Sequence, residues 1–247
     1  SLRRQRQMCI RDREETAYFL DTMAVPEIPI VLTGAMRSSN ELGSDGFYNY
    51  LSALRVASDD KASDKGILVV MNDEIHAAKY VTKTHTTNVA TFHTPTHGPL
   101  GIIMKHDILW FKTAESRVRF DLEQITGIIP IIKAYAGMGI GDGIISLLDP
   151  EKIDGVVIEA LGAGNLPPLA AGEITKLMEK GVPVVLVSRC FNGIAEPVYA
   201  YEGGGVKLQE AGVMFVKELN APKARLKLLI ALNAGLKGQE LKDYIEG

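Results

Sequence analysis

Short apolar runs alternate with segments of helical periodicity along most of the chain. In the first half, a helix with an acidic first turn is predicted over 14–23, followed by an apolar strand over 28–33. A helix over 45–57 and a fully apolar strand over 66–71 come next. Strands that are apolar throughout are typical of parallel sheets covered by helices on both faces. This half of the chain therefore predicts an α/β fold.

The alternation changes after residue 100. Segments 101–104 and 108–111, joined by a short charged turn, predict a β-hairpin. The polar stretch 113–124 follows, and apolar strands resume only at residue 125. We therefore expect a linker over 113–124 between two domains.

From residue 125 onward, strands and helices alternate regularly, as in parallel sheets with right-handed crossovers. The chain is predicted to hold a doubly wound parallel sheet, Rossmann-like or flavodoxin-like, in an incomplete N-terminal domain over 14–112. A smaller α/β domain is predicted over 125–247. Its strands are expected at 127–132, 155–160, 182–187 and 213–216, and its helices at 140–148, 169–180 and 221–236.

Composition and charge exclude several classes of protein. Lys and Arg total 27 against 30 Asp and Glu, so a net charge of −3 creates no field that favours nucleic acid or an anionic membrane. The longest apolar runs are too short to cross a bilayer. Two cysteines, Cys9 and Cys190, exclude a disulfide-rich scaffold and favour a cytoplasmic location. The arginine-rich stretch 1–13 differs from the remainder and is expected to be a basic tail outside both domains.

Candidate chemistry lies just after the apolar strands, because ligands in open α/β sheets bind beyond the carboxyl ends of the strands. Segment 33–46 combines glycines with small hydroxyl residues, and its alternative interpretation is an ordinary loop with Ser44 or Asp45 as helix N-cap. Segment 160–168 brings Asn165, which is either a binding residue or a helix cap. The residues alone leave both alternatives open.

A lysine stands among threonines in segment 81–87. If it is desolvated, Lys83 loses its proton near neutral pH and activates a hydroxyl, whereas on a solvated strand edge it does not. All five histidines lie between residues 76 and 106, but Pro95 separates His93 from His97 and spoils a helical pair of metal ligands. No metal and no cofactor are predicted.

Together these segments resemble the bacterial and archaeal L-asparaginase family. Segment 14–20 matches the helix that follows the family's His-Gly-Thr-Asp-Thr motif, and segments 33–37 and 44–46 match the strand and loop after it. Segments 69–73 and 81–84 match the part that carries the catalytic lysine. Segments 133–138, 162–165 and 187–190 resemble the C-terminal domain.

The resemblance implies hydrolysis of L-asparagine to L-aspartate and ammonia, with L-glutamine as a further substrate, in a homodimer or homotetramer. Lys83 would be the lysine of a Thr-Lys-Asp group, and Ala35 would present its backbone to the substrate amide. Asn165 would reach across an intimate dimer interface into the neighbouring site, with Tyr201 or Glu202 nearby. Neither a nucleic acid nor a membrane is implied as a partner.

The chain also departs from the family pattern. The family's nucleophilic threonine lies in a Thr-Gly-Gly-Thr-type segment, and a second threonine with a substrate-binding aspartate precedes the helix matched by 14–20. Neither is present, and residues 10–13 read Ile-Arg-Asp-Arg where the Thr-Asp pair is expected. We therefore expect an N-terminally truncated chain that hydrolyses asparagine poorly or not at all and leaves apolar faces uncovered.

Two alternatives remain open at this point. The first is the asparaginase-like subunit of a tRNA-dependent amidotransferase, which would supply ammonia to a partner. The second is a non-catalytic, Rossmann-like protein that binds an amino acid. Turnover of free asparagine distinguishes the leading hypothesis from both.

Overall fold

The chain divides into two compact units, Ser1–Asp121 and Leu122–Gly247. Most of the predicted basic tail, with Cys9, and part of the predicted linker lie outside the described residues. The computed structural model describes residues 12–23, 28–105, 107–113, 118–141 and 143–247.

The first unit contains one mixed sheet and a separate two-stranded ribbon. The five-stranded sheet has the order β1-β2-β3-β6-β7, with β1 and β2 parallel and the other pairs antiparallel. The ribbon pairs β4 with β5. The elements are α1 (Arg13–Met23), β1 (Ile30–Leu32), α2 (Gly46–Ala57), a 3-10 helix (Asp60–Ala62), β2 (Ile67–Met71), β3 (Glu74–Ala77), β4 (Thr82–Lys83), β5 (Phe92–His93), β6 (Gly101–Ile103) and β7 (Ile108–Trp110).

Strand β2 is buried on both faces. Leu68 and Val70 pack in one apolar cluster with Ala53 of α2, and Ile67 and Val69 pack in another cluster whose helical member comes from α1. Successive side chains of a strand point to opposite faces, so an uninterrupted apolar run is what a strand between two helices requires. The two helices therefore fix β2 at the centre of the first unit.

The hairpin between β2 and β3 was not predicted. Its turn is formed by Asn72 and Asp73, which have φ values of 51° and 62°. Asn and Asp tolerate positive φ better than other side chains, and two-residue hairpin turns of the primed types require it. Because β3 turns back along β2, the sheet in the first unit is parallel only between β1 and β2, while the predicted 101–104/108–111 hairpin is confirmed by β6 and β7.

The second unit holds a four-stranded parallel sheet of order β11-β10-β9-β8. This confirms the parallel sheet predicted after residue 125, and the α/β fold class with it. Helices α4 and α6 were not predicted. The elements are β8 (Ile131–Lys133), β9 (Val156–Ala160), α3 (Pro168–Glu179), β10 (Val184–Ser188), α4 (Gly205–Glu210), β11 (Met214–Phe215), α5 (Ala221–Asn233) and α6 (Gly238–Glu246).

The helix predicted over 140–148 is wrong. Residues 140, 141 and 144–148 form bends and turns. Gly137, Gly139, Gly141 and Gly143 have φ values of 80°, 91°, 75° and 49°, which no α-helix accommodates. Of the apolar residues in this segment, Ile145 is buried, whereas Ile140 and Leu147 are exposed.

Helix α2 carries an apolar face that points to solvent. The helix was predicted from its apolar residues, but the face against the sheet is formed by small and polar side chains, including Asn49 and Ser52. The exposed side chains recur three and four residues apart, as on one helical face. They are Phe47, Tyr50, Leu51 and Leu54, with 75%, 54%, 39% and 48% of their surface accessible.

No helix in the part of the chain that the structure describes is long and apolar enough to cross a membrane.

Candidate active site

The carboxyl ends of β1 and β2 lie side by side and carry the first candidate loop. Residues 33–45 continue from β1, and the turn at Asn72 continues from β2. The Thr33 hydroxyl donates to the carbonyl oxygen of Val70 at 2.7 Å, which ties the end of β1 to β2. This edge is where parallel strands of an open sheet place a ligand site.

A buried asparagine connects the two strand ends. Asn49, on the first turn of α2, is 2% exposed. Its Nδ2 donates to the carbonyl oxygen of Gly34 at 2.9 Å and to Oδ2 of Asp45 at 3.0 Å, and its Oδ1 accepts from the backbone N–H of Asn72 at 3.1 Å. One side chain thus fixes the loop after β1 and the turn after β2.

Asp45 stabilises the loop rather than the helix that follows it. It stands at the N-cap position of α2, as one alternative predicted, but its carboxylate makes no capping hydrogen bond. Both oxygens instead accept from the N–H of Met36 at 3.0 Å, and Oδ1 also accepts from the N–H of Arg37 at 3.0 Å. The loop is therefore closed on itself by one carboxylate.

Ala35 lies in this closed loop with its backbone polar groups available. Within the described residues, neither its N–H nor its C=O forms a hydrogen bond. The Gly34 carbonyl before it is bound by Asn49, and the Met36 N–H after it is bound by Asp45. The neighbouring peptide groups are thus hydrogen-bonded within the loop, whereas those of Ala35 form no hydrogen bond with the described residues.

Lys83 is exposed at the end of β4. Its backbone N–H donates to Glu14 Oε2 at 3.2 Å, and it faces Phe92 across the ribbon. Of the two environments considered for this lysine, the structure has the solvated strand edge, because β4 belongs to the two-stranded ribbon and not to the buried sheet.

A carboxylate between two histidines attaches the ribbon to the sheet. Glu74 Oε2, on β3, lies 3.3 Å from His76 Nε2 and 3.3 Å from His93 Nδ1 on β5. The fully buried His76 contacts Thr94 Oγ1 through Nδ1 at 3.0 Å. The His76 imidazole, with a smaller contribution from His93, holds the pKa of Glu74 below its usual range. Since His93 pairs with Thr82, this cluster fixes the strand next to Lys83.

The described residues contain no group of three or more His, Cys, Asp or Glu side chains arranged to bind a metal ion.

Arg13 lies against the same loop. Its side chain is 3% exposed, and its Nη1 lies 3.0 Å from the sulfur of Met71. The guanidinium stands 5.0 Å from the centre of the Phe92 ring and directly beside Gly34. The arginine that departs from the family pattern thus occupies space at the carboxyl edge of the sheet.

In the second unit, Asn165 closes a tight turn after β9. Its backbone exchanges two hydrogen bonds of 2.9 Å with Leu161. Its side-chain Oδ1 accepts from the N–H of Gly205, the first residue of α4, at 3.2 Å. Of the two alternatives for Asn165, a cap of the next helix does not hold, because Pro167 is the N-cap of α3. Asn165 instead accepts from a donor of the more distant α4.

Glu202 lies near the same helix end. It is exposed and forms an ion pair of 3.0 Å with Lys207 on α4. The neighbouring Tyr201 is also exposed, with its ring 5.7 Å from that of Tyr199. The structure therefore brings Asn165 and Glu202 to the start of α4, while Lys83 and Ala35 lie in the first unit.

Asn49 was missed by sequence reasoning. The available signal was a polar residue on the face of α2 that holds Ala53 and Val56, where the buried face of an amphipathic helix is normally apolar. The apolar residues from which the helix was predicted lie instead on the face that the structure exposes.

This arrangement is that of an α/β protein whose candidate site lies at the carboxyl edge of a sheet. Family models cover most of the chain: "Asparaginase, N-terminal" matches residues 13–116, and "Glutaminase/Asparaginase C-terminal domain" matches residues 129–245. The chain belongs to the asparaginase family of amidohydrolases.

Individual relatives agree with this assignment. The chain is 40% identical over 234 residues to a "Probable L-asparaginase" of Deinococcus radiodurans, covering 93% of this chain and 70% of the relative. It is 35% identical over 239 residues to a "Probable L-asparaginase periplasmic" of Haemophilus influenzae, covering 94% and 66%. A crystal structure of a "Probable Cytoplasmic L-asparaginase" from Campylobacter jejuni superposes with a TM-score of 0.82 at 29% identity, over 95% of this chain and 74% of that chain.

Proposed function

We propose that this protein is an L-asparaginase-type amidohydrolase that acts on L-asparagine and, as a second substrate, L-glutamine. The open backbone of Ala35, held in a closed loop at the carboxyl edge of β1, is the observation that carries the proposal. A primary amide has both a donor and an acceptor, and a backbone N–H and C=O at one residue complement both.

In the proposed reaction, a threonine hydroxyl loses its proton to a base and its oxygen attacks the side-chain amide carbon of asparagine. The C–N bond breaks, the nitrogen takes a proton and leaves as ammonia, and water then hydrolyses the ester to aspartate. A threonine is a weak nucleophile until its proton is removed, so the reaction needs a base and donors at the developing oxyanion. Lys83 is proposed as the lysine of the Thr-Lys-Asp group that moves this proton.

The exposure of Lys83 bears on this role. Lysine acts as a base only when its ammonium form is disfavoured, and a solvated side chain does not meet that condition. We propose that Lys83 becomes active when substrate and the threonine-bearing segment cover it. Neither family threonine segment occurs in these 247 residues, so we propose that this polypeptide has little or no turnover by itself.

Asn165 and Glu202 are proposed to serve a neighbouring subunit. Both lie at the start of α4, and exposed apolar side chains surround this part of the sequence, including Val198 and Tyr199 at 59% and 49% accessibility. Such a patch with polar groups at its rim is typical of a subunit interface. We propose a homodimer or homotetramer, which analytical ultracentrifugation tests directly, since a monomer at all concentrations would contradict it.

We propose a cytoplasmic location, as for the Campylobacter jejuni neighbour whose name says so. The Haemophilus influenzae relative is named as periplasmic, so the family includes both compartments. Cell fractionation followed by immunoblotting tests this proposal.

Ammonia release from L-asparagine tests the central proposal. The 247-residue chain is compared with a version in which residues 1–13 are replaced by a family segment that contains both threonines. We expect turnover only in the second version, its loss in Lys83→Met, and its retention in Lys61→Met, which changes an exposed lysine of the same unit.

Three results would change the interpretation. Turnover by the unmodified chain would show that the nucleophile lies within the present sequence. Ammonia production only with an added partner would favour an amidotransferase subunit, and asparagine binding without turnover in both versions would favour a binding protein.

A further inference from the structure

The loop that presents Ala35 is oriented by two side chains outside the set that the family resemblance assigns. Asn49 Nδ2 donates to the Gly34 carbonyl at 2.9 Å, and the carboxylate of Asp45 accepts from the Met36 N–H at 3.0 Å. One bond holds the residue before Ala35, and the other holds the residue after it.

The direction of the Ala35 groups follows from peptide geometry. A trans peptide group is planar, with its C=O and N–H pointing in opposite directions. Because the Gly34 carbonyl points at Asn49, the Ala35 N–H points away from it, and because the Met36 N–H points at Asp45, the Ala35 carbonyl points away from Asp45. Both polar groups of Ala35 are therefore turned away from the groups that hold the loop.

Asn49 also holds the second strand end. Its Oδ1 accepts from the N–H of Asn72 at 3.1 Å, in a turn whose residues have positive φ. Its Nδ2 further binds Asp45 at 3.0 Å, so the two bracketing side chains are joined to each other. A buried amide whose donors and acceptor are all used is a rigid support, since loss of any one bond leaves a desolvated polar group.

We propose that Asn49, acting with Asp45, is a positioning residue for the amide-binding backbone of Ala35. It contacts no reacting atom; it sets the orientation of the peptide groups that would bind the substrate amide. This inference rests on the proposed function for its substrate, but the orientation itself is a property of the free protein and is measured without substrate.

The test uses the full chain and two substitutions of Asn49. Asn49→Leu removes every hydrogen bond of the side chain at similar volume, whereas Asn49→Asp keeps the acceptor for Asn72 and loses the donors. Ser52→Ala is the matched control, because Ser52 is 1% exposed on the same helix and its hydroxyl has no partner among the described residues.

Amide hydrogen exchange is the first measurement. We expect Asn49→Leu to accelerate exchange at Met36 and Asn72 about tenfold relative to Leu68 of β2, as for the loss of one buried hydrogen bond. Asn49→Asp should accelerate Met36 and leave Asn72 protected, and Ser52→Ala should change neither. If Asn49→Leu does not fold, the Asn49→Asp pattern decides the question.

Binding of L-asparagine by calorimetry is the second measurement. We expect both Asn49 variants to weaken binding about tenfold, including Asn49→Asp, in which the Asn72 turn is preserved. Uniform acceleration of all amides, or binding that follows only the global stability of each variant, would overturn the positioning role. Absence of binding both in the parent chain and in the version that carries the family threonine segment would count against the proposed function, while the exchange pattern would still decide the role of Asn49.

Discussion

The carboxylate of Glu74 lies 3.3 Å from Nδ1 of His93, and this contact joins the sheet to the ribbon that carries Lys83. A second imidazole, from the buried His76, lies at the same distance from the same carboxylate oxygen. His76, with a smaller contribution from His93, lowers the pKa of Glu74.

The stability of the chain should depend on Glu74 at acidic pH. Its pKa is lowered in the folded protein by His76 and His93 from an ordinary value of 4.5. A carboxyl whose folded pKa is lowered contributes stability above its unfolded pKa, and this contribution is lost as pH falls through the folded value. Urea unfolding at pH 7 and below pH 4.5 should therefore show a smaller pH dependence in Glu74→Gln than in the parent.

The matched control for this prediction is Glu151→Gln, which changes an exposed carboxylate in the second unit. It should reproduce the parent's pH dependence. Equal pH dependence in Glu74→Gln and the parent would contradict the contribution of the histidine contacts.

Replacing Gly164 by Ala should destabilise the second unit. Gly164 has a φ of 125°, and an added Cβ would lie 2.7 Å from a ring carbon of Phe215 and 3.2 Å from a methyl of Leu186. We expect a loss of about 2–4 kcal/mol from backbone strain and overpacking together. Gly162→Ala is the control, since its φ is also positive at 52° but nothing lies within 4 Å of the added carbon.

Chemical denaturation measures both glycine variants. A loss in Gly162→Ala equal to that in Gly164→Ala would show that strain, rather than the contact with Phe215, accounts for the effect.

Gly34 and Arg13 should be energetically coupled. A Cβ on Gly34 would overlap the Arg13 guanidinium, which would have to leave its place beside Met71 and Phe92. Gly34→Ala should therefore cost about 1 kcal/mol in the parent and less when Arg13 is already Met, with a coupling energy of about 0.5–1 kcal/mol. A double-mutant cycle of unfolding free energies measures this, and additive values would disprove the contact.

The acceptor of Asn165 should stabilise the start of α4. Asn165→Ala removes the partner of the Gly205 N–H and should cost about 1 kcal/mol, whereas Asn165→Asp keeps an oxygen there and should be nearly neutral. In a chain with turnover, Asn165→Asp should still lower activity if the Nδ2 group serves the neighbouring site. Equal stability losses in the two variants would show that the Oδ1 acceptor is unimportant.

Much of the second unit was predictable because its signals are local. The mainly apolar runs that became β9 and β10 are short and lie on either side of helix α3, which is the pattern of buried parallel strands. The segment 140–148 failed because apolar residues suggested a helix, while the positive φ values of Gly141 and Gly143 are set by packing that periodicity does not reveal.

In the first unit, the candidate loop was found because small residues and glycines follow an apolar strand. What that loop does with its hydrogen bonds was not predictable. The partner of the Gly34 carbonyl is Asn49, fifteen residues further along the chain, and the partner of the Asn72 N–H is the same side chain, from twenty-three residues away.

The sequence by itself determined the α/β class, the family and the segments that hold Ala35, Lys83 and Asn165, because strand hydrophobicity and motif spacing are local properties of the chain. Tertiary structure decided the environment of each residue. It left Lys83 exposed on a two-stranded ribbon, directed the side chain of Asn165 to α4, and turned the polar groups of Ala35 away from Asn49 and Asp45. Exposure and hydrogen-bond direction depend on which distant segments pack together, and no local pattern specifies them.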